Sequence, residues 1–224
     1  MSAPFPARAV TPSGADAAVE RPLVREHRMT MTVNGAPCAA FVCTRADLPC
    51  LAAGRLLGDG RIRCRADVRS ITFRAEESLC AVTAADAPAP APAPVPIAWE
   101  RKWIFAAARR FAEATPLYHA TASVHLAFLW RGDRLLYTAE DISRRCAMEK
   151  ALGFALLHGE DLPACWLYLS CRVNADLVRQ AANAGIALLV SKSTPTADAV
   201  ELAGALGVSL ICRAWPDRFE VYNG

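Results

Sequence analysis

At 224 residues, 54% hydrophobic and 21% charged, the chain has the composition of a soluble globular protein of one large or two small domains, long enough to bury a core without disulfides or a structural metal. A formal net charge of +3 excludes a general nucleic-acid binder, so any recognition of anions must be local. No apolar run approaches the roughly 20 residues of a membrane span, and the N-terminus shows no uninterrupted apolar secretory segment; a cytoplasmic location is expected, with neither membrane nor nucleic acid as partner.

Residues 1–24 are rich in Ala, Pro and Arg without periodicity and read as a disordered lead-in. A small β-rich domain is expected over 25–86. Extended runs at 29–33 and 39–43 flank Asn34-Gly35, a hairpin signal because both turn positions need positive φ. Asp47 is placed to cap a helix carrying Leu48, Leu51, Ala52 and Leu56, ended by Gly58 or Gly60. Strands follow at 68–73 and 79–83. An alternating Ala-Pro tract then begins; proline fixes φ and donates no hydrogen bond, so 87–98 is expected to be a semi-rigid linker.

Over 99–224 the pattern changes. A helix at 99–113 precedes strands at 123–130 and 135–138, which flank a Gly132-Asp133 turn. Asp141 is expected to cap a helix bearing Met148, Ala151, Leu152 and Ala155. A short apolar strand at 165–170, a helix at 174–183, Gly185 at its C-cap and a strand at 186–190 follow. Thr194-Pro195 opens a further helix, Gly207 closes it, and 208–212 is the next strand. Strands alternating with helices at this spacing imply an α/β layer with substantial parallel pairing. The nine cysteines are scattered and form no C-x-x-C pair, which argues against a disulfide framework and a zinc ribbon; most are expected to be small buried hydrophobes.

In parallel sheets ligands bind beyond the carboxyl ends of the strands, where helix N-termini present free N–H groups. The loops Ser170-Cys171-Arg172, Ser191-Lys192-Ser193-Thr194 and 213–218 sit there. Each carries a cation and two add hydroxyls, a set suited to a phosphate-bearing ligand; one basic loop residue alone more often only solvates the surface. The run Glu140-Asp141-Ile142-Ser143-Arg144-Arg145-Cys146-Ala147-Met148-Glu149-Lys150 concentrates charge between apolar segments. It is either a pocket wall or a charged, well-capped surface helix, and the run by itself leaves both open.

Thr121, His125 and Ala127 match a T-G-G-x-H-x-A motif, and Glu140, Asp141, Arg144, Ala147 and Lys150 match E-D-V-G-R-H-N-A-x-D-K. Ser170-Cys171-Arg172 stands where S-G-R or S-S-R is found, and Val33-Asn34-Gly35 and the segment 47–62 fit an early hairpin and helix. On these motifs, in this order from Glu20 onward, the sequence resembles the formate dehydrogenase accessory sulfurtransferases, the FdhD family. The resemblance implies an α/β (α+β) fold with a cytidine deaminase-like C-terminal α/β domain and a small N-terminal β-rich domain. It implies sulfur carriage from a cysteine desulfurase to the molybdenum bis(guanine dinucleotide) cofactor, before that cofactor enters a molybdenum-dependent formate dehydrogenase. It also implies a homodimer, and binding of the cofactor or its GDP or GMP moiety. The loop Arg213, Ala214, Trp215, Pro216, Asp217 and Arg218 takes the place of the family's cofactor-binding loop. With it, Arg144, Lys150, Ser170, Arg172, Lys192 and His125 are the expected ligand-contacting residues, while Glu140 and Asp141 orient the cationic loop and cap its helix.

The sequence departs from the family at the point where sulfur would be carried. The family's persulfide cysteine lies in an S-C-G-x-C-G-type loop between the small sheet and the next helix; here that interval holds the Ala-Pro tract and no cysteine. Ser143, Arg145 and Cys146 replace the family's glycine, histidine and asparagine, Ala122 a glycine, and Arg213 an aromatic residue. Two expectations compete: a protein that binds the cofactor or a guanine nucleotide without transferring sulfur, or a sulfurtransferase using another cysteine. Cys171 is the first candidate, because a following helix and Arg172 depress a thiol pKa, and Cys146 is the second; Cys212 and Cys80 come after. Zinc deamination is not expected, since His125 is followed by Leu126 and Ala127 rather than an H-x-E glutamate, and no C-x-x-C exists.

Overall fold

The structure, a computed structural model, describes residues 2–74, 79–85, 93–113 and 116–223. Its first element corrects the expected disordered lead-in: β1 (Ser2–Ala9) and β2 (Ala17–Val24) pair antiparallel as a separate two-stranded ribbon. Proline did not forbid this. Pro4 and Pro6 are two residues apart and Pro22 lies opposite Pro4, so the missing N–H groups can fall on the ribbon's outer sides. The ribbon rests on the rest of the chain through β2, with Phe5 and Leu23 still exposed.

The small sheet follows the expected hairpin. β3 (His27–Val33) and β4 (Ala36–Cys43) are joined by Asn34 and Gly35 at φ of 50° and 82°. Helix α1 (Leu48–Gly58) buries Leu48, Leu51, Ala52 and Leu56. Asp47 precedes it in a left-handed conformation (φ 53°) and does not cap it with its side chain. Its carboxylate instead accepts from the Tyr137 hydroxyl at 2.6 Å, which corrects the expected cap. β5 (Val68–Arg74) and β6 (Leu79–Ala84) complete a sheet of order β4-β3-β6-β5. Most of the expected linker, 86–92, lies outside the described residues; 93–98 runs without regular structure into α2 (Arg101–Glu113).

The second sheet is built by α3 (Pro116–Thr121), β7 (His125–Arg131), β8 (Arg134–Asp141), α4 (Arg144–Leu157), β9 (Cys165–Leu169), α5 (Ala175–Asn183), β10 (Leu188–Ser191), α6 (Ala197–Leu206), β11 (Ser209–Cys212) and β12 (Glu220–Asn223). Its six strands run β12-β11-β10-β9-β7-β8, with β9, β10 and β11 mutually parallel and β7, β8 and β12 antiparallel to their neighbours. The mixed α/β class expected from the alternation is what forms. No described helix is long and apolar enough to cross a membrane.

Caps differ in detail from expectation. Ser143, not Asp141, caps α4, and Thr196, not Thr194, caps α6; Asn174 caps α5. Each side-chain oxygen accepts from the N–H three residues on, as the orphan donors of a first turn require. Gly207 closes α6 at φ 70°, a left-handed C-cap.

One face of the six-stranded sheet packs on α2 through Ile104, Ala107 and Phe111 against Phe128, Trp166 and Tyr168. The other face carries α4 and α5 and merges with the small sheet and α1 into one continuous core. The junction is α1 on α4, and it is unusually close. A Cβ on Gly54 would lie 1.7 Å from the Glu149 carbonyl oxygen, and one on Gly153 1.9 Å from that of Cys50. Only glycine allows the two helix backbones to touch there.

Candidate functional site

The sheet topology gathers the predicted polar residues on one edge. β9, β10 and β11 end there, antiparallel β7 begins there, and β8 runs into the start of α4 there. Along that edge the order is Arg144, His125, Ser170 to Arg172, Lys192, then Arg213 to Arg218. Neighbouring strands lie about 4.8 Å apart, so the row spans roughly 20 Å.

The loops are pinned to one another by backbone and side-chain hydroxyl hydrogen bonds. Ser170 Oγ accepts from Leu126 N at 2.9 Å and joins the ends of β7 and β9. Ser191 Oγ donates to the Cys171 carbonyl at 2.6 Å and accepts from Ser193 N at 3.0 Å. Arg213 N donates to Ser193 O at 2.9 Å, Ala214 N to Ser191 O at 3.0 Å, and Trp215 N to Arg218 O at 2.8 Å. Tyr168 Oη donates to Ala214 O at 2.8 Å, so Ala214 is buried while Trp215, Pro216, Asp217 and Arg218 stand outside. Arg213 sits at φ 48°, a strained left-handed conformation for a side-chain-bearing residue.

The cations on the edge are not alike. Arg144 is half-buried and Arg172 exposed, and among the described residues neither has a carboxylate partner. Lys192 holds its ammonium 4.3 Å from the Phe111 ring centre and 5.2 Å from that of Trp215; burial lowers its pKa, and it too lacks a carboxylate among the described residues. Arg213 pairs with Glu220 at 3.2 Å and Arg218 with Asp217 at 3.2 Å, both pairs exposed and therefore weak. His125, half-buried and opposite Asp141 in the β7–β8 register, has its pKa lowered by burial and then by Arg144, with Asp141 opposing. The lowered pKa favours the neutral imidazole.

One expected ligand contact, Lys150, stands elsewhere. Lys150 is buried, its Nζ 2.6 Å from Asp141 Oδ2 and donating to Thr44 O and Oγ1 at 3.0 and 2.7 Å. A side chain enclosed in this way cannot meet a ligand at the edge. Arg145, beside Arg144, faces the opposite way into a brace with Glu149, Asp59 and Asp176 at 2.8, 3.0 and 3.2 Å. Glu140 accepts from Tyr118 N at 2.8 Å and so holds α3 at the sheet edge.

The candidate cysteines are also corrected. Cys171 is buried, and burial outweighs Arg144 and Arg172 to push its thiol up to about 11. Burial likewise raises Cys146 and Cys212 to about 12 and Cys80 to about 11. Nearby positive charge depresses a thiol only where solvation permits the thiolate. Of the nine cysteines, Cys64 is exposed and Cys38 partly so, the latter accepting from an Arg61 guanidinium N–H at 2.8 Å. No local sequence signal separates these two from the other seven.

The family model of FdhD/NarQ matches residues 81–224. A protein of Geobacillus kaustophilus named sulfur carrier protein FdhD is 28% identical over 233 aligned positions, covering 91% of this chain and 89% of its own. One of the same name from Thermoplasma volcanium is 38% identical over 108 residues, 48% of this chain and 39% of its own. A crystal structure from Desulfotalea psychrophila, described as a formate dehydrogenase accessory protein, superposes with a TM-score of 0.89 at 24% identity, covering 100% of this chain and 97% of that one. At that identity the likeness is one of fold.

Proposed function

The chain belongs to the FdhD/NarQ family, and on that premise we propose that it acts in formate dehydrogenase maturation by binding the bis(guanine dinucleotide) molybdenum cofactor along the cationic sheet edge. The observation that carries this is the row of Arg144, His125, Arg172, Lys192 and Arg218 on one edge, with three of its cations free of carboxylates among the described residues. A row of roughly 20 Å suits an extended, phosphate-rich dinucleotide better than a single phosphate. Arginine forks match phosphate oxygens, the capped start of α4 adds partial positive charge, and neutral His125 can donate to a ligand oxygen. The cofactor is cargo here, held and oriented by these side chains. Its other partners in this reading are a cysteine desulfurase and a molybdenum-dependent formate dehydrogenase, with the protein acting as a homodimer.

Sulfur carriage is a second reading, supported by the relatives' shared name. It needs a thiolate that can leave its loading site, and burial opposes this at Cys171 and Cys146. Calorimetry with GDP tests the first reading: absence of binding at millimolar nucleotide sinks it. Mass spectrometry after incubation with a cysteine desulfurase and cysteine tests the second, which fails if no cysteine gains a sulfur atom.

A further inference from the structure

A buried polar knot ties the small sheet to the beginning of the cationic edge. Thr44, which follows β4, donates its N–H to Asp141 Oδ2 at 3.0 Å. Its hydroxyl lies 2.9 Å from Glu140 O and 3.1 Å from Asp141 Oδ2, and accepts from Lys150 Nζ at 2.7 Å. The other carboxylate oxygen, Asp141 Oδ1, accepts from Ser143 N at 2.9 Å. Thr44, Asp141 and Lys150 are all buried, so the bonds among these three are made in low dielectric, while those to Glu140 O and from Ser143 N are partly buried.

The knot's geometry reaches two site residues. Asp141 is the register partner of His125, and through Ser143 it sets the first turn of α4, where Arg144 is the first residue. Neither His125 nor Arg144 touches the small sheet in any hydrogen bond or ion pair among the described residues. We infer that Thr44 is a positioning residue: acting through Asp141 and Lys150, the small sheet fixes where His125 and Arg144 stand on the edge. A buried ion pair is a poor source of stability, because desolvation offsets most of its attraction. Its place here, between β8 and α4 and bonded to Thr44 at the end of the small sheet, is better accounted for by specificity of placement, and no part of this requires Lys150 or Asp141 to touch a ligand.

The test is Thr44→Val, which keeps volume but removes the hydroxyl, with Thr44→Ser as the conservative rescue and Thr44→Ala in its place if the valine variant does not fold by circular dichroism. Two quantities are read: GDP affinity by calorimetry, and the His125 titration midpoint by NMR of the imidazole. The expected result is affinity about tenfold weaker, in the usual range of coupling between sites, together with a displaced His125 midpoint, both restored in Thr44→Ser. Unchanged affinity, an unmoved His125, or loss in Thr44→Ser equal to that in Thr44→Val each overturns the inference. The affinity measurement rests on the proposed cofactor reading. The His125 titration needs no ligand, so a native protein silent toward GDP removes that reading and leaves Thr44 to be judged by the titration alone.

Discussion

Replacing Gly153 by alanine adds one methyl group at the point where α1 and α4 touch. The new Cβ would sit 1.9 Å from Cys50 O and 2.7 Å from Gly54 N, both backbone atoms that cannot rotate away. Restoring ordinary contact requires the helices to part by about 1.5 Å, and gaps of even 0.5–1 Å forfeit roughly a quarter to a half of each dispersion contact. Across the apolar layer around Leu51, Ala147 and Ala151 the loss is about 3–4 kcal/mol, beyond common overpacking. Alanine's helix propensity returns up to about 1 kcal/mol. The net loss of about 3 kcal/mol lowers Tm by roughly 6–12 °C for a chain of this size. Gly204→Ala is the internal control: it lies in α6 with its nearest neighbour, Asn223 Oδ1, 3.8 Å from the added Cβ. There the propensity gain stands alone and Tm rises slightly. Thermal melts followed by circular dichroism read both variants. A Gly153→Ala protein within about 2 °C of native, or a shift of the same sign in the two variants, refutes the backbone-contact account.

Ala122 holds φ at 50°, where an L-residue is strained, so Ala122→Gly is expected to stabilise by about 0.5–1 kcal/mol in denaturant titration; an unchanged midpoint refutes the strain. Burial raises the Glu149 carboxyl from its ordinary 4.5 to about 7 against the pull of Arg145 and Arg55, and its Oε2 has no hydrogen-bond partner among the described residues. The folded protein therefore keeps this proton longer than the unfolded chain does. Its contribution to stability falls as pH rises from about 4.5 to about 7, and Glu149→Gln should flatten Tm across that window; an unaltered pH profile counts against it. Lys150→Met leaves Asp141 buried without its cation and should cost about 3–5 kcal/mol, measured by equilibrium unfolding; a loss under about 1 kcal/mol refutes the stranding of a buried charge. A chromogenic disulfide reagent should modify Cys64 and Cys38 of the native protein rapidly and the other seven cysteines only on unfolding. Rapid labelling of Cys171 or Cys146 would revive them as sulfur carriers.

Much of the fold was legible because it is written in local chemistry. Asn34-Gly35 demands positive φ at both positions and turns where expected. The strand-helix alternation beyond residue 99 led directly to the parallel β9, β10 and β11, and thereby to the row of cationic loops at one edge. Expectations based on local preference failed where a distant partner intervened. Asp47 looked like a cap but turns to Tyr137, 90 positions away in the chain, and the proline-rich first residues gain their order from cross-strand pairing with one another.

The amino-acid order alone determined the class of fold, the edge on which the cationic loops gather, and the absence of a cysteine between the small sheet and α2. Only the tertiary structure decided which charged and thiol groups are available there. Lys150 and Arg144 both stand in one helix and share a motif, yet one is sealed against Thr44 and Asp141 while the other faces the edge. Cys171 sits beside an arginine and still has its thiol raised. Burial is the reason. Whether a charge or a thiolate can exist at a position depends on the water excluded by residues far away in the chain, and no local pattern records that exclusion.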